Sequence, residues 1–264
     1  MTNIGFIGAG NMAEAIISGI LKNGIFESEN IVVFDISKDR SDYMSERYKI
    51  KTLDSEEKIL QESDYTFLAV KPQVFPSLRE SGFGLNYQGT IISIMAGVDL
   101  SSLKIAFPKA EVVRTMPNFP ALVGEGMTGL CFSNSISKEK KDVVVNIFDS
   151  IGKTLILEEK NIDALTGLSG SGPAFVFQFA EALADAGVYC GLPRKDAYLL
   201  AAQTIYGSAK MIMETGNHPG DLKDSVTSPG GTTIEGIKNL EKNGFRNAVM
   251  EAVIGSYKKS KELK

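Results

Sequence analysis

The chain has 264 residues, 43% hydrophobic and 23% charged, with a net charge of −4, which is typical of a globular protein of one large or two modest domains. One histidine and two distant cysteines, Cys131 and Cys190, argue against a metal site, a disulfide framework or a histidine-based triad and favour a reducing compartment. No basic run favours nucleic acid and no apolar stretch reaches the roughly 18 residues of a membrane span, so we expect a cytoplasmic protein without such partners.

Short β-branched runs alternate with amphipathic segments through residues 1–160. The predicted strands are Ile4–Ile7, Ile31–Phe34, Tyr65–Val70, Thr90–Ile94, Glu111–Thr115, Gly129–Phe132 and Thr154–Leu157. The predicted helices between them are Met12–Asn23, Lys38–Tyr48, Ser55–Glu62, Val74–Gly82, Ser101–Ala106 and Lys138–Ser150. This alternation indicates an α/β domain with a mainly parallel sheet.

A glycine-rich motif joins the first predicted strand to the first predicted helix. Its sequence, Gly8-Ala9-Gly10-Asn11-Met12-Ala13, fits the dinucleotide fingerprint G-x-G-x-x-[G/A]. Gly8 permits the tight turn, Gly10 lets a pyrophosphate approach, and Ala13 lets helix and strand pack closely. We therefore predict a Rossmann-type domain whose contacts with a nicotinamide cofactor include Gly8, Ala9, Gly10, Asn11 and Met12. The alternative is a glycine-rich turn that binds nothing.

Asp35 ends the second predicted strand, near the spacing of about 20 residues expected for a carboxylate that binds the adenosine ribose. It favours the free 2′-hydroxyl of NADH and repels the 2′-phosphate of NADPH. However, Ser37, Lys38 and Arg40 follow at once and could bind that phosphate, or they could simply form the solvated start of a helix. Asp35 and Ser37 are thus predicted cofactor contacts, and the sequence leaves NADPH and NADH open.

Further candidate contacts follow two other predicted strands. Ligands of such sheets lie at the carboxyl ends of the strands. Lys71 is therefore expected to face the cofactor, although a lysine at a strand end can also be simply exposed. The predicted contacts at these two strand ends are Ala69, Val70, Lys71, Pro72, Met95 and Ala96.

Residues 161–264 have a helical pattern, which predicts a second, all-α domain. The predicted helices are Asn161–Leu168, Pro173–Cys190, Arg194–Thr215, Pro219–Val226, Thr233–Asn243 and Phe245–Leu263. The segment Pro173–Cys190 is apolar on nearly every side, with only Gln178, Glu181 and Asp185 interrupting it. Because such a helix needs burial on most sides, we expect this domain to form a homodimer.

The tract 222–236 combines a proline turn, two glycines and two threonines before a helical pattern begins. Thr232 and Glu235 have the spacing of a capping box, which predicts a helix capped by Thr232. The first N–H groups and the helix dipole attract an anion, and Gly230 and Gly231 leave room beside the backbone. We predict a pocket for a small carboxylate with a hydroxyl donor beside it. The alternative is an ordinary capped helix.

Five segments together resemble one enzyme family. They are Phe6–Met12, Ala69–Gln73, Arg114–Asn118, Ser169–Ala174 and His218–Thr233, of which the last is the most specific. Over essentially its full length the chain resembles pyrroline-5-carboxylate reductase. The resemblance implies reduction of 1-pyrroline-5-carboxylate to L-proline by NADPH or NADH, the last step of proline biosynthesis. It also implies a helical dimerisation domain and a homo-oligomer, a dimer that in some members is part of a decamer.

The resemblance also implies roles for residues near the end of the chain. Thr233 matches the threonine whose hydroxyl the family directs at the substrate ring nitrogen. The N–H groups of Gly231, Thr232 and Thr233 would hold the substrate carboxylate. His218 could serve as a general acid, but its family counterpart implies a role at a helix start instead.

The chain departs from the family pattern at Asp35, where many members carry Ser, Thr or Asn, and this difference puts the usual NADPH preference in question. Two other functions stay open: a reductase of another small cyclic imine or hydroxyacid, and a non-catalytic dinucleotide sensor. Hydroxyacid enzymes usually carry a catalytic lysine on a helix after a Gly-Gly turn, whereas Thr232 and Thr233 follow the glycines here. A sensor needs the glycine motif but not the tract 229–233.

Overall fold

The computed structural model describes residues 2–262. The chain divides into two compact units. Among the described residues, the first unit comprises 2–170 and 256–262, and the second spans Ser171–Gly255.

The segment 161–170 belongs to the first unit because its side chains pack there. A Cβ placed on Gly129 would lie 2.7 Å from Leu165 Cδ1, so Leu165 covers that glycine. The Asn118 side chain also donates to the Ser169 carbonyl at 3.1 Å. The boundary between the two units therefore lies after Gly170, ten residues beyond the domain limit predicted at residue 160.

The first unit is built on an eight-stranded sheet with the order β3-β2-β1-β4-β5-β6-β7-β8. The strands are β1 Ile4–Ile7, β2 Ile31–Phe34, β3 Lys51–Thr52, β4 Tyr65–Leu68, β5 Thr90–Ser93, β6 Glu111–Met116, β7 Gly126–Phe132 and β8 Gly152–Ile156. Neighbouring strands are parallel except for β6 and β7, which are antiparallel. Every predicted strand is present, and the architecture confirms the predicted α/β fold. Only β3 was not predicted.

Helices cover both faces of this sheet. They are α1 Asn11–Lys22, α2 Lys38–Tyr48, α3 Glu56–Glu62, α4 Phe75–Glu80, α5 Leu100–Ala106, α6 Lys138–Asp149 and α7 Ile162–Leu165. Four of them begin where a side chain accepts a hydrogen bond from the first turn: Ser37, Ser55, Asp99 and Ser137. Such caps satisfy backbone donors that a helix start otherwise leaves open, so they fix where these helices begin.

The core forms two layers because successive strand residues point to opposite faces. On one face Phe6 stacks on Phe67 at a centroid distance of 4.6 Å, and Phe148 of α6 packs against Phe67. On the other face Ile7 joins a cluster that includes Leu103 of α5. Burial on both faces keeps the central strands rigid and holds their carboxyl ends at one edge of the sheet.

The second unit is helical, as predicted. Its helices are α8 Gly172–Tyr189, α9 Arg194–Thr215, α10 Pro219–Ser225, α11 Thr232–Lys242 and the start of α12 Phe245–Glu262. The predicted end of the last helix, Leu263, lies outside the described residues. Helices α8 and α9 pack through small side chains, chiefly Ala184, Ala197 and Ala201. Among residues 2–262, no helix combines the length and apolarity that crossing a membrane requires.

Candidate active site

The glycine motif lies where the strand order of the sheet reverses, between β1 and its two neighbours. Gly8 has φ +98°, and a Cβ there would lie 2.6 Å from the Ala69 carbonyl oxygen. Its N–H donates to the Phe34 carbonyl at 2.7 Å. Only glycine fits a position with this φ and this close an approach to backbone. The loop is therefore held at the switch point, where open parallel sheets bind nucleotides.

Gly10 leaves the space in front of α1 open. A Cβ on Gly10 would meet no atom within 4 Å. Gly10 is also the N-cap of α1, and no side chain caps this helix within residues 2–262. Free N–H groups and the positive end of the helix dipole thus face an open space, which fits a pyrophosphate.

Asp35 ties the end of β2 to the glycine loop. One carboxylate oxygen accepts the Ala9 N–H at 2.7 Å, and the other accepts the Ser37 N–H at 2.9 Å. The carboxylate is half-buried and keeps lone pairs that could accept ribose hydroxyls. Ala9 itself is buried, and its N–H is already engaged, so its predicted contact with the cofactor stays a prediction.

The cations after Asp35 are paired within the protein. Lys38 Nζ lies 2.6 Å from the Asp42 carboxylate on the exposed surface. Arg40 donates through Nε to the Ala9 carbonyl and through a terminal nitrogen to Glu14. Lys38 thus matches the alternative of a solvated helix start, whereas Arg40 belongs to a network at the glycine loop that the sequence did not predict.

The ends of β4 and β5 lie beside the glycine loop because β1, β4 and β5 are neighbours in the sheet. After β4, Lys71 is exposed at the start of a short 3-10 turn, whereas Val70 and Pro72 are half-buried. After β5, Met95 is 2% exposed and packs in the core, and Ala96 is half-buried. The Lys71 side chain is therefore accessible to a cofactor, whereas a contact by Met95 would have to be made through its backbone, and both contacts stay predictions.

Two polar residues of the segment Arg114–Asn118 fix the end of β6 through hydrogen bonds. Asn118 accepts the Met127 N–H at 2.8 Å and donates to the Ser169 carbonyl and hydroxyl oxygens. Arg114 is 3% exposed and donates to Glu159 at 2.9 Å. These contacts give Asn118 and Arg114 a structural role in holding the chain at the sheet edge.

In the second unit, the single histidine caps a helix. His218 Nδ1 accepts the Gly220 N–H at 3.0 Å at the start of α10. This agrees with the helix-start role that the resemblance implies.

The start of α11 differs from the predicted capping box. Gly231, not Thr232, is the N-cap, and no side chain caps the helix. Glu235 instead pairs with Lys238 at 3.1 Å. The reason is local: Gly230 adopts φ +66°, which lets the Gly231 N–H close a turn onto the Ser228 carbonyl at 3.1 Å, so the helix begins one residue early.

This correction leaves more donors free than the prediction did. Thr232 and Thr233 occupy the first two helical positions and are exposed, and their N–H groups have no acceptor among the residues described. The Thr233 hydroxyl likewise has none there. An uncapped helix start of this kind can bind a carboxylate, although the Gly231 N–H is already engaged.

The two units together define a class of protein. The sheet, the glycine loop and the helical unit are those of an NAD(P)-dependent oxidoreductase, and residues 3–97 match a family model described as NADP oxidoreductase, coenzyme F420-dependent. Residues 159–263 match the model described as pyrroline-5-carboxylate reductase dimerisation. The chain belongs to the pyrroline-5-carboxylate reductase family, as its relatives show.

Both sequences and solved structures support this assignment. The chain is 44% identical to the pyrroline-5-carboxylate reductase of Escherichia coli K12, over 98% of this chain and 97% of that protein. It is 42% identical to the Synechocystis enzyme, with the same coverage. The Coxiella burnetii structure matches with a TM-score of 0.92 at 34% identity over 100% of this chain and 98% of that one. The Plasmodium falciparum structure with NADP bound matches with a TM-score of 0.88 at 34% identity, over 99% of this chain and 98% of that one.

Proposed function

We propose that the chain reduces 1-pyrroline-5-carboxylate to L-proline with NADPH or NADH, the last step of proline biosynthesis. The start of α11 carries the proposal, because it presents two uncommitted N–H groups and a threonine hydroxyl. The substrate has a carboxylate that suits the N–H groups and a ring nitrogen that suits the hydroxyl. The relatives that bear this enzyme name support the choice of substrate.

The proposed cofactor site is the glycine loop. The open space at Gly10 and the uncapped start of α1 would hold the pyrophosphate, and Asp35 would accept the ribose hydroxyls. When bound, the nicotinamide supplies the hydride that the imine carbon receives. The remaining proposed contacts are Ala9, Asn11, Met12, Ser37, Ala69, Val70, Lys71, Pro72, Met95 and Ala96.

At the substrate site, the protein would hold the substrate in a fixed orientation. The N–H groups of Thr232 and Thr233 would hold the carboxylate, and Gly231 would leave room for it by lacking a side chain. The Thr233 hydroxyl would donate a hydrogen bond to the ring nitrogen, and this nitrogen would take up a proton from solvent as the imine carbon receives the hydride, which completes the product amine. No strong side-chain base is required, because the cofactor carries the difficult step.

The test is the loss of nicotinamide absorbance when 1-pyrroline-5-carboxylate is added to the purified protein with NADPH or NADH. We expect turnover, with L-proline as the product. A six-membered cyclic imine and a small hydroxyacid tested in parallel separate the other reductase functions. Tight cofactor binding without turnover on any of these compounds would contradict the proposal and favour a sensor.

We further propose that the helical unit forms a homodimer in the cytoplasm, and that dimers can assemble into a decamer. Large apolar side chains on α8 and α9 are exposed in the single chain, among them Phe179, Leu199 and Leu200. The match of residues 159–263 to a dimerisation family supports burial of this surface by a second copy. Two free thiols, of which Cys190 is exposed, support a reducing compartment.

A further inference from the structure

The Glu14 carboxylate on α1 accepts hydrogen bonds from three side chains of α2. The Tyr43 hydroxyl donates to one carboxylate oxygen at 2.8 Å and the Tyr48 hydroxyl at 2.9 Å, while Arg40 donates to the other oxygen. The Glu14 side chain is 19% exposed. We call Glu14, Arg40, Tyr43 and Tyr48 the Glu14 network. It joins the two helices that flank the glycine loop.

The network fixes Arg40 against the glycine loop. Arg40 Nε donates to the Ala9 carbonyl, and its guanidinium lies 4.8 Å from the centroid of the Tyr43 ring. With 26% of its side chain exposed, Arg40 is held on three sides. The cation at the edge of the proposed ribose site is therefore committed to protein partners.

The charges at this edge favour a neutral ribose over a phosphorylated one. Burial raises the pKa of Glu14, but the hydrogen bonds from Arg40, Tyr43 and Tyr48 outweigh burial and hold this pKa below its ordinary value. Glu14 is thus ionised at neutral pH and neutralises Arg40, while the Asp35 carboxylate sits on the other side of Ala9. Arg47 lies 3.7 Å from Glu14 but is 59% exposed, so solvent screens its contribution.

We infer that Glu14 is a positioning residue for cofactor choice, which weakens binding of NADPH relative to NADH by engaging Arg40. A 2′-phosphate is an anion that a free arginine binds through charge-assisted hydrogen bonds. With Glu14 present, Arg40 offers that phosphate little net positive charge. The inference rests on the proposed cofactor site and addresses the choice between NADPH and NADH that the sequence leaves open.

The test is Glu14→Gln, which keeps the side-chain length and an acceptor for the donors of α2 but removes the charge. Dissociation constants for NADPH and NADH are measured by nicotinamide fluorescence, in the absence of the imine. We expect the Kd for NADPH to fall by about tenfold relative to that for NADH, with a smaller change at high salt. An unchanged ratio of the two constants in a folded Glu14→Gln protein would overturn the inference.

Arg40→Gln provides the matched control. In the Glu14→Gln background it should abolish the gain in NADPH affinity, because the gain acts through Arg40. Because Glu14 and Arg40 form a neutral pair, the double variant should also keep the NADPH-to-NADH ratio of the unmodified protein. A double variant that binds NADPH selectively more weakly than the unmodified protein would show that Arg40 already binds the phosphate, and would overturn the inference. Because the readout is binding, an absence of reductase turnover would contradict the proposed function alone.

Discussion

At the scale of single residues, the two glycines of the nucleotide loop are needed for different reasons. Gly8 is needed by the protein itself, since its φ is +98° and backbone fills the place of a Cβ. Gly10 is needed only by a ligand, since the same place is empty there. The structure agrees with the tight-turn role that the motif predicts for Gly8, while the approach of a pyrophosphate at Gly10 stays a prediction.

Substitution separates the two roles. Gly8→Ala should lower the free energy of unfolding by roughly 1–3 kcal/mol or more and weaken cofactor binding, because the loop must move. Gly10→Ala should lower the melting temperature less than Gly8→Ala does, since only the N-cap of α1 is weakened, and it should raise the Kd for NADH by at least about tenfold because its methyl group takes the space of the pyrophosphate. Thermal unfolding measures the stability of the two variants, and NADH titration measures their Kd for the cofactor. An equal loss of stability in the two variants would contradict this account of the loop.

Other residue-scale features could not be predicted from the sequence. Arg40 was expected to bind a phosphate or to be solvated, yet it is bound by Glu14 and the Ala9 carbonyl. Glu14 occupies an ordinary position in an amphipathic helix, and its partners come from a different helix. Contacts of this kind depend on how α1 and α2 pack, which no local pattern records.

At the scale of elements, the starts of α1 and α11 form the two proposed anion sites. The sequence predicted most helix starts closely because serine and aspartate caps are local signals. It failed at α11, where the backbone conformation of Gly230 moved the cap to Gly231. It also missed β3, since a two-residue edge strand carries too little pattern to be recognised.

His218 illustrates a cap that could be mistaken for a catalytic group. Its Nδ1 accepts a bond from Gly220, so His218→Asn should keep the cap, whereas His218→Ala should cost about 1 kcal/mol of stability. We expect His218→Asn to retain kcat within a few-fold of the unmodified enzyme. A loss of kcat in His218→Asn at unchanged melting temperature would instead assign His218 to proton transfer.

At the scale of the whole molecule, the helical unit exposes large apolar side chains that a second copy of the chain would bury. The sequence predicted this from the composition of one helix, and the structure extends the apolar surface to α9. The domain limit at residue 160 was predicted from the change to a helical pattern, and the segment 161–170 that follows this limit packs on the first unit. Composition records helicity, but not which neighbour a helix packs against.

A charge on that surface should prevent assembly. Leu199 on α9 is 69% exposed in the single chain, so Leu199→Glu should shift the mass measured by light scattering from at least twice that of the chain towards that of one chain. Val123→Glu, at a site 78% exposed in the first unit, is the control and should not change the mass. A monomeric unmodified protein at micromolar concentration would contradict the proposed homodimer.

The central claim is that the start of α11 binds and orients the substrate, and kcat in Thr233→Ala tests it most directly. We predict a fall of roughly 10- to 100-fold with an unchanged Kd for the cofactor, because one hydrogen bond at the reacting nitrogen is lost. Thr233→Ser should recover most of the rate, and Thr232→Ala, which keeps its backbone N–H, should stay close to the unmodified enzyme. A near-normal kcat in Thr233→Ala would contradict the claim and remove Thr233 from the mechanism.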